Sequence, residues 1–480
     1  MRRYRNLKIA KIKFENHPIF KSSCFDFTKP NGEIYNNILI AGENGAGKTT
    51  FLETLPYLEV LFKSGRNRGL SPQLLNNFGN SKIAIEYEHN QEYVSLVSTP
   101  KEGVFREVTG FDHKVNFPLK LIYSSVDINY SSNSRPQAVT NKQLDENTQS
   151  REVVIGTPKN LSDEIVELLI SINSQDNNDT ANWVHNHPGE VFPVDTVMRM
   201  DRFKNAFNYM FDNLEFHGVE NNIEPKFQKT GQEDLIDIYK LSSGEKQVVF
   251  RGSFLLKDKN SLEGVTVLID EPELSMHPKW QEKIFNYYTE LFKNEDREQT
   301  SQIFMVTHSD HVLKSGLQDE DTLVIKLSSN SDPEFFHSGM NQSPSNFVLD
   351  TLTSAEVFYQ IFGIYSVEFH QLLFEKMLAQ HKIKYDLHPG YKDIGEKYKH
   401  LKQGSNDVTI PDDWVQPDNP CFKTNFLPLY IRNYIDHSAD KNPDGTFLRD
   451  GKCIESENLS KSIEFMIQKI SELSRKEELN

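Results

Sequence analysis

Eight consecutive residues constrain this 480-residue chain more than any others: Gly42-Glu-Asn-Gly-Ala-Gly-Lys48-Thr49. They fit the pattern GxxxxGK[ST] in full and sit where a phosphate-binding loop has to sit. The short apolar run Ile38–Ala41 before them reads as a buried strand. From about Thr49 onward, Phe51, Leu52, Leu55 and Leu58 fall on one side of a helix. Glycines in such a loop let backbone N–H groups approach phosphate oxygens without a Cβ in the way, and the helix adds its positive N-terminal end. The candidate nucleotide-binding residues are Gly42, Asn44, Gly45, Gly47, Lys48, Thr49 and Thr50. Lys48 is expected to bridge the β- and γ-phosphates of ATP, and Thr49 to ligate Mg²⁺.

A second feature supplies the matching chemistry. Val265-Thr-Val-Leu-Ile is an apolar strand that ends in two adjacent carboxylates, Asp270 and Glu271. Asp270 is expected in the Mg²⁺ shell, and Glu271 is expected to orient or deprotonate an attacking water. A third strand-like run, Ile303–Val306, ends at Thr307-His308-Ser309, which makes His308 a candidate catalytic residue. Composition narrows the alternatives. Three cysteines without a CxxC pair exclude a disulfide scaffold and a cysteine-rich zinc site, and they fit a reducing cytoplasm. No apolar run approaches the roughly 18 residues of a membrane span. The basic N-terminus is not followed by an apolar stretch, so it reads as a strand and not as a signal peptide. With 53 Lys and Arg against 69 Asp and Glu, the net charge is −16, which argues against nucleic-acid binding over the whole surface. Any DNA or RNA contact would need a local basic patch, and Lys63-Ser-Gly-Arg66-Asn-Arg68 is the clearest one.

The segment Leu241-Ser242-Ser243-Gly244-Glu245-Lys246-Gln247, upstream of Asp270, resembles the signature motif of ABC-type ATPases, and His308 resembles the switch histidine of the same family. The wording Asp270-Glu-Pro-Glu-Leu-Ser-Met-His277-Pro278 is similar to RecF-like and OLD-like (AAA_21-like) ATPases. It is less similar to transporter ATPases. The whole resembles the ATPases of bacterial anti-phage defence systems, including Septu and retron-associated ATPases. The resemblance implies an α/β fold: an ABC-ATPase head whose mixed sheet is flanked by helices. It also implies a composite site in a homodimer or higher homo-oligomer. One subunit would supply Lys48, Thr49, Asp270, Glu271 and His308. The other would supply Ser243 and Gly244 at a helix N-terminus, with Ser242 and Glu245 beside them as further candidate nucleotide-binding residues, and Pro272–Pro278 would form the D-loop between them. No Q-loop glutamine is identified, and no Toprim motif follows the ATPase motifs, so the chain departs from OLD nucleases.

By motif and composition the head spans 1–124 and 236–345, interrupted by a helical and loop insertion at 125–235. Within the insertion, residues 161–172 and Asp195–Asn213 read as helices and 173–190 as polar loop. An all-α domain is expected over 346–480. Its segment Arg432-Asn433-Tyr-Ile-Asp-His437 matches the R-x4-H pattern of HEPN ribonucleases. That resemblance implies metal-independent RNA cleavage, with tRNA a candidate substrate, by His437 as acid or base and Arg432 on the scissile phosphate. The alternative is a surface helix in a docking module. Glu368, His370 and Glu375 on an earlier helix are available to the same site but read as solvated helix positions, and His185 and His187 as polar-loop residues. Three functions stay open: an ATP-gated effector carrying its own nuclease, a regulatory ATPase holding a separate nuclease or toxin subunit, and a RecF-like DNA-repair ATPase.

Overall fold

The computed structural model describes residues 7–64, 81–89, 92–99, 104–109, 120–124, 161–190, 198–257, 264–274, 276–294, 297–329, 331–337, 347–380, 426–436 and 454–478. The chain packs as two units, Met1–Ser338 and Gly339–Asn480.

In the first unit, strands β1 (Lys8–Glu15), β2 (Cys24–Asp26), β4 (Lys82–His89), β5 (Glu92–Thr99) and β6 (Val104–Thr109) form an antiparallel sheet in the order β2-β1-β4-β5-β6. A six-stranded sheet holds β3 (Asn37–Gly42), β7 (Lys120–Ser124), β11 (Val265–Asp270), β12 (Gln302–Val306), β13 (Thr322–Leu327) and β14 (Glu334–His337). Its order is β14-β13-β3-β12-β11-β7, and all but β14 run parallel. Every residue of β3, β11 and β12 is buried, as expected for parallel strands covered on both faces. Parallel strands present their carboxyl ends on one edge, and ligands of open α/β sheets bind outside that edge. Gly42, Asp270 and the segment after Val306 therefore meet there.

The two sheets share one core, rich in Phe14, Phe20, Phe25, Phe27 and Phe51. Phe51 lies on α1 (Lys48–Ser64), with its ring 4.7 Å from Phe25 and 5.9 Å from Phe20. This aromatic packing fixes the start of α1 behind the glycine loop. Gln302 stitches the sheets together: its side chain bonds the backbone N–H and carbonyl of Ile9 and the carbonyl of Tyr35.

The stretch 125–235 differs from expectation in two ways. Helix α2 runs from Leu161 to Asn186, well past residue 172. Its polar second half is held because buried Asp176 accepts from the Arg199 side chain and from the Met200 N–H, at the start of α3 (Arg199–Met210). The insertion is also not purely helical. Strands β8 (Leu214–Glu220) and β9 (Glu224–Lys229), with β10 (Leu235–Asp237), make a small antiparallel sheet. The hairpin turns at Asn221 and Asn222, with φ of 49° and 59°. Asparagine tolerates that left-handed conformation and so stands in for Asn-Gly here. The remaining helices of this unit are α4 (Ser243–Leu255), α5 (Pro278–Leu291) and α6 (Asp310–Leu317).

The second unit is helical over its described residues: α7 (Ser354–Phe362), α8 (Val367–Gln380), α9 (Leu427–Asp436) and α10 (Ser456–Glu478). Gly363, at φ 67°, closes α7 in the left-handed cap that a residue with a side chain disfavours. Leu373, Met377, Ile431, Ile463 and Met466 centre a core of their own.

Candidate functional site

The loop between β3 and α1 admits only glycine at its key positions. Gly42, Gly45 and Gly47 have φ of 135°, 82° and 91°. A Cβ on Gly42 would also lie 2.0 Å from the Leu327 carbonyl oxygen, and one on Gly47 2.7 Å from the Ile19 side chain. Lys48 is buried, and its Nζ donates to the carbonyl oxygens of Gly42 (2.9 Å) and Glu43 (2.7 Å). Burial lowers its pKa, while Glu271 and Asp270 oppose that shift. Asn44, Gly45 and Thr49 are exposed at the mouth of the loop, and Thr50 is half-buried. Beside the loop opens a cavity of about 340 Å³ whose lining includes Phe20, Lys21, Ser23, Ala46, Ser328 and Asp332.

Asp270 ends β11 at 1% exposure. Burial and the neighbouring Glu271 push its pKa up to about 6, against the Thr49 hydroxyl that bonds it and the charge of Arg251. Its Oδ1 is buried without a hydrogen-bond partner. An orphaned carboxylate oxygen next to a threonine hydroxyl, at the mouth of a phosphate loop, fits a Mg²⁺ completed by phosphate and water oxygens. Among the described residues no group of three His, Cys, Asp or Glu side chains is placed to hold a metal unaided. That includes His185, which sits on the last turn of α2 and not in a loop, and His187, in the bend just after it. His185 is exposed, and His187 stacks on Trp183 at 4.5 Å.

Glu271 adopts φ 42°, a conformation that costs a residue with a side chain roughly 1–3 kcal/mol and that clusters at functional sites. Its carboxylate lies 3.3 Å from Nε2 of His308. Burial and the Lys48 ammonium lower the His308 pKa, and Glu271 pulls it back up. Glycine loop, Asp270, Glu271 and His308 thus converge on one sheet edge. Parallel pairing sets this registry, with β12 between β3 and β11.

The signature segment forms the N-terminus of α4. Ser242 is the N-cap in a reciprocal capping box: its N–H donates to the Glu245 carboxylate at 2.6 Å, and its hydroxyl accepts from Glu245 N–H at 3.4 Å. The Glu245 carboxylate is therefore engaged in shaping the helix start. Ser242 and Ser243 are exposed and Gly244 is buried.

Arg251 escapes a motif search at this edge, and Glu273, though inside the Asp270–Pro278 motif, takes no role of its own from it. Arg251 is fully buried and donates to the Asp270 carbonyl at 2.8 Å, linking the signature helix to the end of β11. A charged residue within the buried face that holds Val248, Gly252 and Leu255 was the available signal. Glu273 is buried, and its Oε1 accepts the backbone N–H of His308 at 2.7 Å.

In the helical unit, Arg432 is half-buried on α9 and Asn433 is 3% exposed, while His437 lies outside the described residues, as do Arg66 and Arg68. Glu368 and Glu375 are exposed as expected. His370 is not a solvated position: it is fully buried beside Phe369, Leu373 and Phe374 on the apolar face of α8, with Nε2 2.8 Å from the Ser462 hydroxyl.

Residues 38–314 match the family described as "AAA domain, putative AbiEii toxin, Type IV TA system". The chain is similar to the "Retron Ec83 probable ATPase" of Escherichia coli, at 22% identity over 433 residues, covering 72% of this chain and 76% of that protein. Among solved structures it is similar to the SMC head domain from Thermotoga maritima, at 13% identity and a TM-score of 0.37, over 69% of this chain and 100% of that one. It is also similar to an Smc head domain with an extended coiled coil, bound to the C-terminal domain of ScpA derived from Pyrococcus furiosus. There the identity is 12% and the TM-score 0.39, over 69% of this chain and 96% of that one.

Proposed function

We propose, from the premise that this chain belongs to the AAA domain family of the AbiEii type matched over residues 38–314, that it is an ABC-type ATPase whose heads pair around ATP to control a toxic effector of an anti-phage defence system. The observation that carries this reading is the convergence of Lys48, Asp270, Glu271 and His308 at the carboxyl edge of one parallel sheet.

In this reading the triphosphate lies along the glycine loop, and the nucleoside end enters the cavity beside Ala46. Lys48 exchanges its two carbonyl partners for β- and γ-phosphate oxygens. Thr49 and Asp270 would hold Mg²⁺, which would supply neutralisation of the charge developing on the phosphates. Glu271 orients a water and takes its proton as the water oxygen bonds to the γ-phosphorus. The bond from that phosphorus to the β–γ bridging oxygen breaks, leaving ADP and phosphate. His308, close to Glu271, holds the departing γ-phosphate by a hydrogen bond. Ser243 and Gly244 reach the γ-phosphate on a second copy, because the exposed start of α4 points backbone N–H groups and a positive helix end outward.

The effector in this reading is a separate chain. Asn433, the polar residue beside Arg432 in the R-x4-H pattern, is buried in the core of the helical unit and not held in an open site.

The test has two parts. Specific ATPase activity should rise with protein concentration and plateau when dimers saturate. Activity per subunit that stays constant down to the monomer would overturn head pairing. Wild type, Glu271→Gln and His437→Ala are then expressed in cells, with growth and total tRNA integrity followed. TRNA cleavage by the purified chain alone, lost in His437→Ala, would return the nuclease to this chain.

A further inference from the structure

One buried carboxylate at the site edge takes no part in the steps above. Glu273 is 6% exposed and lies two residues beyond Glu271, in the turn that follows β11. Its Oε1 accepts the His308 N–H at 2.7 Å, and the Thr307 hydroxyl bonds the same carboxylate. Thr307 is fully buried and in turn accepts the Ser309 N–H at 3.0 Å. The other oxygen of Glu273, Oε2, is buried without a partner. A carboxylate in such a place is costly, and an apolar side chain of similar volume would fill it with no charge to desolvate. What Glu273 holds must therefore account for it.

It holds the residue that faces Glu271. Two carboxylates of one turn reach His308 by different routes: Glu271 meets the ring at 3.3 Å, and Glu273 grips the backbone N–H. The turn is fixed at several points. Glu271 N–H donates to the Val306 carbonyl at 3.0 Å, Leu274 N–H to the Glu271 carbonyl at 3.4 Å, and Met276 N–H to the Glu273 carbonyl at 3.0 Å. Glu273 thus ties the segment after β12 to the same rigid turn that carries Glu271. The distance between His308 and Glu271 is set from both ends.

We infer that Glu273 is a positioning residue for ATP hydrolysis: its clamp on the His308 backbone N–H holds the imidazole against Glu271. This rests on the ATPase reading above. Glu273 touches no reacting atom, so its loss acts through His308.

Glu273→Leu keeps the volume and removes the acceptor, whereas Glu273→Gln keeps one acceptor oxygen. Glu273→Leu should lower kcat on the order of tenfold to a hundredfold, the scale of a misplaced catalytic group, with KM for ATP nearly unchanged. Glu273→Gln should restore most of kcat. Wild-type turnover in Glu273→Leu, or a loss that Glu273→Gln does not rescue, would overturn the inference. A second readout needs no turnover. The Cε1 resonance of His308, assigned with His308→Asn, should move when Glu271→Gln is introduced into wild type. It should not move when the same change is made in Glu273→Leu. An equal shift in both backgrounds would sink the clamp. If Glu273→Leu does not fold, Glu273→Ala is read by the same two measurements. If wild type hydrolyses no ATP, the ATPase reading fails, and the resonance experiment still decides the role of Glu273.

Discussion

The two units of this chain bury polar groups for opposite ends. In the first, buried polar atoms at the sheet edge carry unused valence: Asp270 Oδ1 and Glu273 Oε2 have no partner, and Lys48 leans on loop carbonyls. In the second, the buried acid is consumed internally. Both oxygens of Glu356 accept backbone N–H groups, from Val348 and Leu349, and the acid thereby closes the start of α7. His370 is engaged on one side only: Nε2 meets the Ser462 hydroxyl, while Nδ1 is buried without a partner. Open valence at the rim of a rigid sheet is what a ligand site needs. Closed valence in a helical core fixes one packing of that core. The comparison teaches where to look for chemistry, and it can be broken by experiment.

The sharpest break is at Lys48. Lys48→Ala removes a cation held within the glycine loop, so ATP binding and turnover should both fall. The loss in kcat is expected at about 10²–10³-fold or more, the scale for removing one charge-stabilising donor. Nucleotide binding by filter retention and phosphate release together check this. The fold should survive, because the two bonds that Lys48 makes go to carbonyls of its own loop. Retained turnover would mean that the open valence of the first unit is not a phosphate site.

Glu271→Gln comes next. It keeps the shape of the side chain, removes the proton acceptor, and should cost about 10²-fold in turnover with ATP still bound. The ATP-bound form should then accumulate as a dimer in size-exclusion chromatography with light scattering. Full activity in this variant would remove Glu271 from the reaction.

The same contrast explains what could be read without coordinates. Phosphate chemistry demands fixed residue types at fixed spacing, so β3, the glycine loop, β11 and β12 were legible, each within a residue or two. Asp270 and His308 were legible as well, because each ends an apolar strand. Arg251 and the role of Glu273 were not, since their partners are a backbone carbonyl and a backbone N–H that only the parallel sheet brings near. The polar half of α2 was read as loop, because its anchor, Arg199, lies 23 residues from Asp176 in the chain. In the second unit, helical periodicity located the elements but could not rank positions within them. His370 looked solvated from its polar type, although its spacing to Leu373, Phe374 and Met377 puts it on the buried face of α8.

Buried carboxylates give the comparison a pH test. Burial pushes Glu356 up to about 7 from the ordinary 4.5. Between those values the folded state binds more protons than the unfolded state, so stability falls as the pH rises through the window. The shift corresponds to roughly 3 kcal/mol. Hydrogen exchange of α7 and α10 peptides should therefore show faster opening at pH 8 than at pH 6. Glu356→Gln, which carries no charge to bury, should flatten that trend. No nucleotide should alter it, because nothing in the helical core exchanges this carboxylate for a ligand. A Glu356 trend that Mg²⁺–ATP erased would break the comparison from its second side.

Asp270 is the counterpart, with a slightly smaller shift, from 3.8 to about 6. In the absence of Mg²⁺ and nucleotide, the folded state binds the extra proton between those values, and stability of the first unit should decline by roughly 2–3 kcal/mol as the pH rises from about 4 to above 6. Asp270→Asn should lose that decline. Mg²⁺–ATP should counter it in wild type, because a cation beside Oδ1 favours the ionised acid and binding to the folded state adds stability by mass action. Thermal melts at pH 5 and 7.5, with EDTA and with Mg²⁺–ATP, in wild type and Asp270→Asn, separate the cases. If the decline persists under saturating Mg²⁺–ATP, then Asp270 is a buried acid of the same kind as Glu356, and the open valence at the sheet edge does not mark a metal-assisted site.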